Sequence, residues 1–204
     1  MHAVNQMEAA TGTGTTGAYQ VHQEKSLVER AQRNDPEAFA QIYETYLDRI
    51  YRYVFLRVRS QMEAEDITQQ VFLNALNSIS SYRWKGAPFS SWLFRIAHNQ
   101  VVDYQRKSFR IQTTTLGAPV RDTGPDPVDV VEQEMDMERV KVAIGHLTQL
   151  QQEVISLRFA GGLSTKETAK IMGKKEGAVK ALQHSALGAL KKALSEEWNY
   201  AEEY

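Results

Sequence analysis

The chain has 204 residues, of which 42% are hydrophobic and none is cysteine, and its formal net charge is −1. That length accommodates one large domain or two small ones with real cores, and the lack of cysteine excludes a disulfide framework, a thiolate metal site and a thiol nucleophile. No run of eighteen apolar residues occurs, so no segment reads as a membrane span; the N-terminus lacks the charged-then-apolar order of a signal peptide, and a cytoplasmic location is expected.

Residues 1–24 are rich in Thr, Gly and Ala, show no periodicity and read as a disordered extension. From there to residue 111 apolar residues recur at helical spacing, with no strand-like alternation and no Asn-Gly hairpin. Asn34-Asp35-Pro36-Glu37 is a helix start, an Asx cap before proline in the first turn. Phe39, Ile42, Tyr43, Tyr46, Ile50 and Tyr53/Val54 follow at spacings of three and four. A second amphipathic helix spans Asp66 to Ile79, with Ile67, Val71, Phe72, Ala75 and Ile79 on its apolar face. Its other face carries Asp66, Gln69, Gln70, Leu73 and Asn77. That face is either simply solvated or a contact surface, and an apolar Leu73 among polar groups favours contact.

Gly86 and Pro88 break the chain before a helix from about Ser90 to Lys107. On a helical wheel Leu93, Ile96, Ala97, Val101 and Tyr104 share the core side, while Trp92, Arg95, Asn99, Asp103, Arg106 and Arg110 share another. A ring, an amide and several guanidinium groups along one stripe suit single-stranded nucleic acid: rings stack on bases, Arg holds phosphates, Asn reads a base edge. The alternative is a core Trp92 with Arg–Asp surface pairs beside it. Gly117, Pro119, Gly124, Pro125 and Pro127 then mark a linker over residues 112–132. The linker is acidic: from Arg121 to Glu138 seven acids face one Arg, a local charge of −6, whereas Arg139 to Leu194 has ten Lys/Arg against three Asp/Glu, or +7. Local charge governs phosphate binding more than the total does.

The second block covers residues 133–195, with an acidic tail over 196–204. Leu147, Leu150, Val154, Ile155, Leu157 and Phe159 read as a buried helix ending at Gly161-Gly162. Ser164-Thr165-Lys166-Glu167 is a capping box opening a short helix to Met172, and Gly173 supplies a left-handed turn. A third helix starts near Lys175 or Glu176. Its inner face is Val179, Leu182, Ala186 and Leu190; its outer face mixes Lys180, His184 and Lys191 with Gly177, Ala181 and Gly188. Small residues let a helix sit deep in a groove while lysines neutralise phosphates. Short helix, Gly turn and basic helix form the helix-turn-helix pattern, against the blander alternative of a helical hairpin with a solvated basic face. The fold class expected is all-α: two small helical domains joined by a flexible linker, the second a helix-turn-helix domain.

Together the two blocks resemble bacterial sigma factors of the extracytoplasmic-function group. The resemblance rests on Asp35-Pro36-Glu37-Ala38-Phe39, on Ala64 through Phe72, on Phe89-Ser90-Ser91-Trp92-Leu93-Phe94-Arg95-Ile96-Ala97-His98-Asn99 with Asp103 and Arg106, on Leu163 through Ala169, and on Glu176-Gly177-Ala178-Val179-Lys180. It implies that residues 25–111 bind core RNA polymerase and the minus-ten promoter element, and that residues 133–195 read the minus-thirty-five element. Asp66, Gln69, Gln70 and Leu73 would be the polymerase contacts. Tyr82, Trp84 and Lys85, in a loop lining a flipped-base pocket, and Trp92, Arg95, Asn99, Asp103 and Arg106 would read the melted non-template strand. Ser164, Thr165, Lys174, Lys175, Glu176, Lys180, Gln183 and His184 would meet duplex promoter DNA. Melting would follow from binding the exposed strand, with no nucleotide hydrolysis. An anti-sigma factor is the expected controlling partner, and the one route to a membrane.

The sequence departs from the family at several positions: Gln70 stands where many relatives have Glu, Thr168 where Ile is usual, Ser185 where an Arg often follows the His, and Leu187, Gly188 and Ala189 replace a more basic run. The last two reduce the positive charge facing phosphate. Three other classes compete. A pure interaction protein, such as a sigma mimic lacking promoter activity, is opposed by Trp92, Asn99 and the basic third helix. A helix-turn-helix regulator with a receiver domain would need alternating strands and helices. An enzyme would need a Walker-type loop, a His–Glu–His zinc spacing or a Gly-x-Ser-x-Gly elbow, none of which occurs. The five histidines (residues 2, 22, 98, 146 and 184) are scattered; neither metal nor cofactor is expected.

Overall fold

The computed structural model describes residues 13–84, 86–114 and 142–201, with side chains over 23–84, 86–110 and 142–194. Its helices are α1 (Thr13–Gln32), α2 (Pro36–Val58), α3 (Gln61–Ser78), a 3-10 turn (Ile79–Ser81) and α4 (Phe89–Thr114), then α5 (Gln149–Ile155) with a π turn (Ser156–Ala160), α6 (Thr165–Met172) and α7 (Glu176–Ala201). No strand occurs among the described residues, in keeping with the all-α reading. Residues 1–12 of the expected disordered extension, most of the expected linker, the stretch 133–141, Lys85 and the last three residues lie outside the described residues.

Local chemistry sets the helix boundaries. Asp35 caps α2, accepting from Glu37 N at 3.0 Å and Ala38 N at 3.2 Å, with Pro36 in the first turn. The Ala38 amide and Arg30 hold its carboxyl below the ordinary value. Arg59 takes the left-handed conformation (φ 60°) that stops α2. Ser164 and Glu167 form the predicted capping box (3.3 and 2.7 Å), and Gly173 closes α6 at φ 62°. Thr148 and Gln151 form a second box at the start of α5.

Three expectations differ from the structure. The N-terminal extension was expected to be disordered to residue 24, yet α1 begins at Thr13; Val28 and Ala31 bury against α2, and that anchor gives the preceding residues a helix to extend. Leu150 and Phe159 were expected inside and stand 47% and 57% exposed. The π turn explains Phe159: an i→i+5 bond from Gly161 N to Ser156 O (2.8 Å) adds a residue to the turn and rotates Phe159 off the inner face. Leu150 sits in the first turn of α5, away from the packed side. Phe94, which the wheel left unassigned, is fully buried.

The two domains do not stand apart. The first core, built on Ile42, Ile50, Tyr53, Val71, Phe89 and Leu93, continues into Leu157, Leu163 and Ile171, while Leu56 of α2 belongs to the second core with Ile144, Val154 and Val179. Gly161 sits where a Cβ would come within 2.9 Å of the Phe94 ring and 2.7 Å of Leu157 O, so only glycine allows this approach. Thr168 is fully buried, and its hydroxyl has no partner among the described residues. An unsatisfied buried hydroxyl is a net cost; Thr168→Val is expected to stabilise the fold by about 1 kcal/mol, read as a higher urea midpoint at unchanged slope.

Candidate nucleic-acid interface

The loop before α4 folds into an aromatic cluster. Tyr82 centres it, with ring centroids 5.2 Å from Trp92, 5.3 Å from Phe89 and 6.3 Å from Trp84, and Phe89 lies 5.1 Å from Trp92. Trp84 and Trp92 are half-buried against the core. Helix α1 holds this loop from behind: Gln32 Nε2 donates to Ile79 O (3.0 Å) and Tyr82 O (2.7 Å), and Glu24 accepts from the Tyr46 hydroxyl and from Phe89 N. Burial, then the Glu24 charge, pushes the Tyr82 phenol up to about 12, so it is neutral at physiological pH. No sequence signal marks either: Glu24 closes the segment expected to be disordered, and the Gln32 partners lie 47 and 50 positions away. A cleft of about 160 Å³ opens between the cluster and α6, lined by Tyr82, Pro88, Trp92, Arg95, Lys170 and Ile171.

Farther along α4, Asn99, Asp103 and Arg106 face solvent. Asp103 and Arg106 pair at 3.7 Å with side chains 61% and 76% exposed, a contact worth little in water. The surface pair of the blander reading therefore exists, and it leaves the guanidinium exchangeable. On α3, Asp66, Gln69, Gln70 and Leu73 are all exposed, with Gln70 donating to Asn74. Met62 and Leu76 extend the stripe at helical spacing and stand 70% and 50% exposed. The sequence carried that signal, since both fall in register with Asp66, Gln69 and Leu73.

In the second domain Lys175, Glu176, Lys180 and His184 are exposed along the first turns of α7, and Ser164 is exposed at the start of α6, while Thr165 and Lys174 are partly covered. Gln183 accepts from Arg158 Nε at 2.9 Å and is partly engaged. Helix α6 crosses the N-terminal end of α4: Ser91 Oγ donates to Glu167 (2.8 Å), and Arg95 donates to Lys170 O (3.0 Å). Beneath this crossing Arg49 donates to Gly161 O (3.2 Å from Nε), and Glu153 receives Arg57 (3.1 Å), His98 (2.7 Å) and the Tyr53 hydroxyl (3.2 Å). Arg49, Tyr53 and Arg57, spaced four apart, form one ridge of α2 turned to the second domain. Sequence periodicity placed Tyr53 in the core but gave no sign that Arg57 and Glu153 meet.

Among the described residues no group of His, Asp and Glu could hold a metal ion, and no helix is long and apolar enough to cross a membrane.

A first domain with an aromatic-and-basic helix and a second with a basic helix-turn-helix define a two-domain transcription factor. The family profile of sigma-70 region 2 matches residues 42–111, and that of sigma-70 region 4 matches residues 143–192. The chain is 40% identical over 175 residues to the ECF RNA polymerase sigma factor BldN of Streptomyces coelicolor, an alignment covering 84% of this chain and 66% of that relative. It is 32% identical over 162 residues to the ECF RNA polymerase sigma factor SigX of Bacillus subtilis, covering 76% of this chain and 83% of the relative. Among solved structures, the sigma factor RpoE in complex with the anti-sigma factor NepR from Bartonella quintana superposes with a TM-score of 0.67 at 25% identity, covering 77% of this chain and 96% of that one. CnrH, in complex with the cytosolic domain of CnrY, shares the fold at a TM-score of 0.66 and 22% identity, over 85% and 97% of the two chains. The chain belongs to the extracytoplasmic-function RNA polymerase sigma factors, the transcription initiation factors built from sigma-70 regions 2 and 4.

Proposed function

We propose that this sigma factor binds core RNA polymerase through the exposed face of α3, reads and holds the melted minus-ten strand with α4 and its preceding loop, and reads the minus-thirty-five duplex with α7. It works as a binding protein in the cytoplasm, not as an enzyme. Its domains are region 2 over residues 25–111, an acidic linker over 112–132 and region 4 over 133–195. The observation that carries the reading is the aromatic cluster of Tyr82, Trp84, Phe89 and Trp92 opening onto a cleft at the base of a helix whose exposed face bears Asn99 and Arg106. Rings beside a cleft suit a base taken out of its stack, which costs a few kcal/mol that binding must recover. Asp66, Gln69, Gln70 and Leu73, a polar row ending on an exposed apolar side chain, suit a protein partner better than DNA. Control by an anti-sigma factor is proposed from the likeness to RpoE, whose solved complex holds one.

The reading is tested by in vitro transcription from genomic fragments with core polymerase, with and without the chain. Discrete new transcripts that need both the chain and the α3 face (lost in Leu73→Asp) support it; transcripts unchanged by the chain refute it. A narrower expectation concerns α7. Lys180→Ala should weaken holoenzyme binding to minus-thirty-five duplexes of any sequence and lower the slope of log K against log salt by about 1, measured by fluorescence anisotropy over a salt series. Glu176→Ala should change which sequence is preferred.

A further inference from the structure

We infer that Tyr53, Arg57 and His98 form a carboxylate socket on the first domain in which the chain docks its own helix-turn-helix domain through Glu153, covering the minus-ten end of α4. Among the described residues, Arg57 and Glu153 are the two buried charged side chains, and they come from different domains. Within the first domain Gln105 accepts from the Arg57 guanidinium (3.4 Å) and donates to the Arg57 carbonyl (3.3 Å), while Gln152 and the Gln149 carbonyl of the second domain accept from the same guanidinium beside Glu153. A buried charge missing its partner is strongly unfavourable; the socket therefore demands a carboxylate, and the second domain supplies one. The docked geometry has a consequence for the proposed reading of promoters, on which this inference rests. Ser91 is bonded to Glu167, Arg95 to the Lys170 carbonyl, and Trp92 lines a cleft whose far wall is Lys170 and Ile171. A melted strand cannot run along Trp92 and Arg95 while α6 lies there. The recognition helix α7 stays exposed, so the covered surface is the strand-holding one. The free chain is thus masked against single-stranded DNA, and engagement with polymerase has to take Glu153 out of its socket.

The absence of native cysteine allows a clean test. Arg83→Cys and Lys170→Cys line the cleft from the first and the second domain; because Arg83 stands in the loop proposed to hold the strand, the unlinked double variant is the reference for promoter opening. The full-length double variant is treated with a short, reductively cleavable bis-maleimide. In the free chain an intramolecular adduct is expected to form readily, and its rate should drop about tenfold or more when Glu153→Gln is added. Tyr53→Phe, which keeps the ring, should give a smaller drop in the same direction, and circular dichroism checks that each variant is folded. The linked chain with core polymerase should open no promoter by permanganate reactivity, and cleaving the linker should restore opening. The docking is overturned if the free chain gives no intramolecular adduct, or if a folded Glu153→Gln variant links as fast as its parent. The masking is overturned if the linked chain opens promoters as well as the unlinked one. Should the wild-type chain open none at all, the sigma reading itself fails and the masking falls with it, while the adduct rate still decides the docking.

Discussion

Trp92→Ala is expected to leave polymerase binding intact and to destabilise the open promoter complex by about 1–3 kcal/mol, the worth of one base stacked on one ring, or roughly 5- to 150-fold in lifetime or occupancy. The ring is half-buried, packed against Tyr82 and Phe89 at 5.2 and 5.1 Å, so part of any effect on the isolated chain is stability. Two measurements separate the contributions. Urea unfolding reports the packing loss in the free protein. Permanganate reactivity of the minus-ten strand, at polymerase saturation, reports strand capture. Trp92→Phe should keep most of the packing and part of the stacking, and so fall between. Equal loss of folding and of opening, with full recovery of opening wherever folding is restored, would make Trp92 a core residue only.

Glu153→Ala should weaken the domain–domain contact by about 3–5 kcal/mol, because it strands the Arg57 guanidinium in a site where the side chain is 2% exposed. Replacing both charges, as in Arg57→Met/Glu153→Leu, should recover much of that loss, since apolar packing of similar volume substitutes well for a buried pair. A double-mutant cycle on thermal or urea unfolding measures the coupling. The pH dependence has a definite sign. Burial raises the Glu153 carboxyl, but the His98 hydrogen bond and the Arg57 charge outweigh it, and its pKa lies below the ordinary 4.5. A group whose pKa is lowered by docking adds stability above its undocked pKa and loses it as pH falls through the docked one. The contact should therefore loosen in acid, and Glu153→Gln should flatten that acid limb.

Much of this molecule is written in one-dimensional periodicity. Ile42, Ile50, Val71 and Leu93 recur at helical spacing and are buried, and the Ser164–Glu167 box with Gly173 places α6 and its turn to the residue. The exposed stripes proposed to meet DNA are legible for the same reason, since a solvated face and a binding face share one period. What the pattern misses depends on pairing between distant elements. Arg57 is polar, and its burial follows only from Glu153, 96 positions away. Phe94 falls between the apolar and polar sides of the wheel and is buried between Tyr53 of α2 and Gly161 of the other domain. Phe159 is displaced by a π turn that no spacing rule anticipates. Glu24 and Gln32 act at the far end of a helix whose first half is Gly- and Thr-rich, where composition argues against order.

The most direct test of the central claim is transcription from a promoter-bearing fragment by core polymerase reconstituted with this chain, wild type and Trp92→Ala in parallel. The account predicts a discrete transcript with the wild type, none with core alone, and a polymerase-bound but poorly opening complex with the variant. A chain that binds duplex DNA by itself and never directs polymerase to a start site would contradict it.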